Sequence, residues 1–162
     1  LRTHLSQAAN DGGLDAGATQ WRDAGMIWVV DTCLLLDVLE DDPTYGESSA
    51  RLLDERYPEG LILCPVSYIE LGPAFGGDLR RQEVFLDGLG VDFRLDWENR
   101  DTQRAHQVWS RFVLDRRRLK SPRRPVADAL IGAFALNRGG VLTRNVADFR
   151  RLFPNLTAVA PE

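Results

Sequence analysis

The chain has 162 residues, a formal net charge of −4, and 44% hydrophobic and 27% charged residues, a composition ordinary for one globular domain with a sizeable core. The acidic balance argues against a generic nucleic-acid coat. No apolar run approaches the roughly 18–20 residues that span a bilayer, so no membrane partner is expected.

Residues 1–25 are rich in Ala, Gly, Asp and Gln and precede the only methionine, Met26. They read as a flexible extension or a vector-derived segment without the layout of a secretory signal, and the domain is expected over 26–162. Cys33 and Cys64 lie in apolar surroundings. They read as small buried hydrophobes of a reducing, cytoplasmic compartment.

The folded pattern opens on Ile27-Trp28-Val29-Val30, a short β-branched run that reads as a strand buried on both faces. It ends on Asp31-Thr32, after which a leucine-rich helix runs to Leu39. Glu40-Asp41-Asp42-Pro43 punctuates the chain as a turn, and a second helix is expected over Thr44 to Tyr57. Leu61 to Cys64 reads as a second buried strand. Pro65 can open the next helix, predicted over Ser67 to Phe75 and broken by Gly76-Gly77.

An amphipathic helix follows over Leu79 to Leu89, then an alternating edge strand over Val91 to Leu95. Asn99 to Leu119 is a long helix with Ala105, Val108, Trp109, Phe112 and Val113 on one side. A basic segment comes next, and then a helix over Val126 to Asn137, stopped by Gly139-Gly140. Val141 to Thr143 is a strand, Asn145 to Leu152 a helix and Leu156 to Val159 a last strand. Alternating strands and helices predict an α/β fold: a mostly parallel sheet covered on both faces.

Four acids sit where a structural role explains them least: Asp31 at a strand end, Glu70 among apolar neighbours, Asp128 in an apolar helix and Asp148 after the fourth strand. Singly, helix capping, an Arg partner or the helix dipole would account for each. Together, several carboxylates at one end of a sheet require a compensating cation. Oxygen ligands without nearby His or Cys spacing suit Mg²⁺ or Mn²⁺ rather than zinc. Such a centre activates water for attack on a phosphodiester, so hydrolysis of nucleic acid is the expected reaction. Arg116, Arg117, Arg118, Lys120, Arg123 and Arg124 would hold the phosphate backbone beside it.

Four motifs in this order carry a family resemblance: Val30-Asp31-Thr32-Cys33-Leu34-Leu35, Tyr68-Ile69-Glu70-Leu71, Ala127-Asp128-Ala129-Leu130-Ile131-Gly132-Ala133, and Leu142-Thr143-Arg144-Asn145-Val146-Ala147-Asp148-Phe149. The chain from Met26 onward resembles a PIN domain, specifically the VapC-like ribonuclease toxin of a toxin–antitoxin module. The resemblance implies a three-layer α/β/α sandwich, Mg²⁺-dependent endoribonuclease activity on RNA, a homodimer, and inhibition by a small antitoxin. It makes Asp31, Glu70 and Asp128 metal-binding catalytic acids, with the Thr32 and Thr143 hydroxyls orienting ligands or water. Many PIN domains carry an acid where this chain has Asn145, so the fourth ligand is Asn145 or Asp148, and one metal or two remain open. An antitoxin would lie on an apolar groove around Leu36, Leu39 and Leu52. Two other readings stand beside this one. One is a catalytically silent PIN-like binding module; the other is a phosphatase with Asp31 as nucleophile, which Cys33 disfavours because such enzymes begin Asp-x-Asp.

Overall fold

The computed structural model describes residues 26–119 and 125–162, and only the backbone of 116–119. The 1–25 extension and the side chains of the basic segment Arg116–Arg124, expected to bind RNA, lie outside the described residues.

The elements follow in the order β1 (Ile27–Val30), α1 (Thr32–Leu39), α2 (Gly46–Arg56), β2 (Leu61–Leu63), α3 (Pro65–Leu71), α4 (Leu79–Gly88), β3 (Val91–Asp92), α5 (Asn99–Leu119), α6 (Val126–Leu136), β4 (Gly139–Leu142), α7 (Val146–Leu152) and β5 (Thr157–Val159). The strands form one five-stranded sheet in the order β3-β2-β1-β4-β5, and every pairing is parallel. Side chains alternate across it, as the strand period requires. Trp28, Val30, Leu61, Leu63 and Leu142 pack with Leu34, Leu35, Leu52, Leu53 and Leu86 on one face. Val29, Ile62 and Val141 pack with Val108, Ile131, Phe134 and Phe149 on the other. The result is the three-layer α/β/α sandwich the sequence implies.

Element ends move for local reasons. The Asp42 carboxylate accepts the backbone N–H groups of Thr44 and Tyr45, each at 2.8 Å. This Asx-type turn holds the chain out of the helix until Gly46, two residues after the expected start at Thr44. The expected helix over Ser67 to Phe75 is instead α3, which begins at Pro65, followed by a 3₁₀ turn over Gly72–Phe75. Pro73 has no N–H to continue the α-helical ladder. Gly139 and Gly140, read as a helix stop, are the first residues of β4, paired with Ile27 and Trp28. Gly139 has φ +150°, and a Cβ there would fall on the Ile27 carbonyl. Only glycine lets β4 enter the sheet at this point.

The sheet has a topological switch point. From central β1 the chain winds outward through β2 to β3, then crosses to β4 and β5 on the other side. In open parallel sheets ligands bind outside the carboxyl ends of the strands where the winding reverses, which here is the crevice between β1 and β4.

Candidate active site

Asp31 follows β1 directly and occupies the N-cap position of α1 with an extended backbone, yet its side chain makes no capping hydrogen bond. Its backbone N–H prolongs the β1–β4 ladder by donating to the Leu142 carbonyl at 3.0 Å. The carboxylate turns across the switch point instead. Thr143, the residue after β4, is fully buried and donates its hydroxyl to Asp31 Oδ2 at 2.6 Å. The Cys33 thiol donates to the same oxygen at 3.2 Å. Thr143 Oγ1 in turn accepts the Asn145 N–H at 2.9 Å, which ties the start of α7 into the same cluster.

The second acid arrives from α3. Glu70 is exposed on the last turn of that helix, and its Oε2 accepts the Thr32 hydroxyl at 2.6 Å. Adjacent residues Asp31 and Thr32 therefore join β1, β4 and α3. Asp128 lies in the first turn of α6 and is half-buried; α6 packs on α3. Asp148 lies in the first turn of α7 and pairs with Arg151 at 3.3 Å. Asn145 holds the N-cap position of α7 without a side-chain cap.

The fit to a divalent cation is a matter of donor chemistry. Hard oxygen donors line the crevice, and among the described residues no three His, Cys, Asp or Glu side chains converge as a ready metal cage. Mg²⁺ commonly keeps several waters and takes one or two protein carboxylates plus substrate phosphates. An open crevice with Asp31 at its base and Glu70 at its rim suits that mode and does not suit a closed all-protein site. His106 lines an apolar cavity of about 500 Å³ between α3, α5 and α6, with Ile69, Trp97, Trp109 and Val126.

No family model matches the chain, and no curated protein matches it. Solved structures do. A chain of VapBC2 from Rickettsia felis, bound to a DNA fragment from their promoter, superposes with a TM-score of 0.61 at 16% identity, covering 85% of this chain and 100% of that one. VapBC-1 from nontypeable Haemophilus influenzae gives 0.59 at 20% identity, covering 83% and 98%. The chain has a PIN-like fold. At these identities the likeness speaks for the architecture alone.

Within this PIN-like fold, three of the four motifs singled out in the sequence meet at the β1–β4 crevice through Asp31, Thr32, Thr143, Asn145 and Glu70, while Asp128 does not join Asp31 and Glu70 in a three-acid cluster among the described residues. Two features escaped the sequence reading. Cys33 is a half-buried thiol bonded to Asp31, not simply a small hydrophobe; burial, and then the Asp31 charge, push it up to about 12. It is a neutral donor here, not a soft metal ligand. Asp37, on leucine-rich α1, is 3% exposed, accepts the Ser49 hydroxyl at 2.7 Å and pairs with Arg144 at 3.2 Å. An acid inside an apolar helical pattern was the available signal, the same one that singled out Asp128.

The expected apolar groove around Leu36, Leu39 and Leu52 is corrected. Leu52 is buried at 6% exposure because α2 packs on α1 through it, and Leu36 lies half-buried against the same core. Leu39 lines a shallow groove with Phe75, Val84 and Phe85 instead.

Proposed function

We propose that the protein is a Mg²⁺-dependent endoribonuclease, with Mn²⁺ able to substitute, and that it is the toxin of a toxin–antitoxin pair. The observation that carries the reading is the buried Asp31 carboxylate at the switch point, held by a neutral hydroxyl rather than by a cation. Its negative charge stays available to a metal ion.

Asp31 would anchor a divalent cation, with the Thr143 hydroxyl holding its Oδ2; such a cation would supply activation of water and offset charge on the leaving oxygen of the phosphodiester. Glu70, oriented by Thr32, would act from the exposed end of α3, and Asp128 would contribute from the first turn of α6. Asn145 and Asp148 offer a fourth oxygen from the β4–α7 junction. Arg116, Arg117, Arg118, Lys120, Arg123 and Arg124 precede Asp128 in the chain and would hold the RNA backbone. A small antitoxin and a homodimer belong to the same reading, the first drawn from the likeness to VapBC structures.

The test is cleavage of RNA in Mg²⁺ by wild type and Asp31→Asn. Cleavage that disappears in the variant supports the proposal, and equal cleavage by both overturns it. One observation favours a second reading, a silent PIN-like binding module: no three acids converge among the described residues. Calorimetry separates the two, since the module would bind no Mn²⁺ in a manner that depends on Asp31 and Asp128.

A further inference from the structure

Arg144 follows Thr143 directly, so its position and that of the site hydroxyl are set by one short stretch of backbone. Its guanidinium reaches Asp37 Oδ1 at 3.2 Å and lies over the Tyr45 ring at 4.4 Å from the centroid. Asp37 is on α1, Tyr45 precedes α2, and Ser49 of α2 bonds the other Asp37 oxygen at 2.7 Å. A buried carboxylate is costly unless paired and hydrogen-bonded, and Arg144 and Ser49 are the partners that allow this one. The pair therefore ties the α1–α2 hairpin to the loop Thr143–Asn145, whose Thr143 hydroxyl lies on Asp31.

We propose that Arg144 is a positioning residue for the candidate active site: clamped between Asp37 and Tyr45, it holds the Thr143 hydroxyl against Asp31. Its catalytic consequence rests on the endoribonuclease reading; its geometric part does not. The rival role is a phosphate contact to RNA. The geometry disfavours that role because the guanidinium is already neutralised by a buried acid and stacked on an aromatic ring.

The experiment uses Arg144→Ala, Arg144→Lys, Thr143→Val, the Arg144→Ala/Thr143→Val double variant, and Arg144→Ala/Asp37→Asn, which removes the buried charge that Arg144→Ala strands. Urea unfolding without RNA or metal reads the geometry. The Arg144 and Thr143 substitutions should be non-additive by about fivefold or more in the unfolding equilibrium constant. Steady-state cleavage of a short RNA in Mg²⁺ reads the consequence. Arg144→Ala should lower kcat by about 10–100-fold, as loss of a residue supporting a ligand does, with KM changed less than about twofold. Arg144→Lys, which keeps a charge opposite Asp37, should regain part of kcat. Arg144→Ala/Asp37→Asn should regain stability while kcat stays low, an outcome that a merely structural role does not produce.

Additive unfolding energies overturn the proposal. So does a raised KM with intact kcat and a salt dependence of binding shallower by about one phosphate contact. If wild type cleaves no RNA, the endoribonuclease reading fails, and the clamp is then decided by the unfolding cycle alone.

Discussion

Thr143→Val tests the centre of the site without changing side-chain shape. The residue is fully buried, so the substituted methyl fits where the hydroxyl was and no cavity opens. What disappears is a 2.6 Å bond to Asp31 and the acceptor for the Asn145 N–H at 2.9 Å. Asp31 is 5% exposed and keeps only the Cys33 thiol, at 3.2 Å, on that oxygen. A hydrogen bond to a charged group contributes about 1.5–3 kcal/mol. The stranded Asn145 N–H is half-buried and recovers part of its loss from water, so the expected total is about 2–4 kcal/mol. Thr143→Ser keeps the hydroxyl and loses one methyl, about 1 kcal/mol. Urea denaturation followed by Trp fluorescence measures both, with the transition midpoint falling at constant slope. If Thr143→Val costs less than Thr143→Ser, the hydroxyl does not hold Asp31 and the site described above is wrong.

Arg138→Met should destabilise by about 3–5 kcal/mol, read by the same denaturation, because Asp101 is fully buried and takes both guanidinium nitrogens, at 2.9 and 3.0 Å. Burial alone would raise the Asp101 pKa, but Arg138, the Glu98 backbone and Asn137 outweigh it and hold the group below the usual carboxylate range. The unfolded chain then binds more protons, so Asp101 contributes its stability above about pH 4 and loses it as pH falls through the lowered folded value; Asp101→Asn should flatten that part of an acid-unfolding curve. Mg²⁺ at a hundredfold excess over its Kd should stabilise wild type by about 2.7 kcal/mol, seen as a rise in melting temperature, and Asp31→Asn should lose the rise. Cys33 and Cys64, pushed up to about 12 and about 11 by burial, should resist alkylation at pH 8 in the native protein and both react in urea; rapid native labelling of Cys33 would contradict its bond to Asp31.

The layers of the fold were legible because buried parallel strands leave an apolar signature. Ile27-Trp28-Val29-Val30 and Leu61-Ile62-Leu63 became β1 and β2, and the candidate site followed from polar residues placed where those runs stop. What stayed hidden depends on pairings distant in sequence. Arg138 and Asp101 are separated by 37 residues, and nothing in either local pattern announces that they fill one buried pair. Arg144 and Asp37 are a second such case. The doublet Gly139-Gly140 misled for a different reason: glycine marks both a helix stop and a strand that must approach another backbone closely, and only the neighbouring Ile27 carbonyl decides between them.

Four acids of this fold differ in whether an arginine shares their charge, two on the scaffold and two at the candidate site. Asp37 and Asp101 are buried and held by arginines, so their charge is consumed locally and each locks two distant segments together. Asp31 and Glu70 are held by hydroxyls, from Thr143 and Thr32. A hydroxyl fixes the orientation of a carboxylate and leaves its full negative charge unneutralised. For Asp31, 5% exposed, such a charge is costly until a cation arrives, which is the condition the proposed metal site would meet. By the same criterion the two candidates for the fourth ligand are not equivalent. Asp148 already shares its charge with Arg151 at 3.3 Å, whereas Asn145 is neutral and linked through its backbone to Thr143. An Asn145→Asp substitution would add an acid at the junction tied to the site, and tighter Mn²⁺ binding by that variant is the outcome this electrostatic division predicts; weaker or unchanged binding would place the fourth ligand elsewhere.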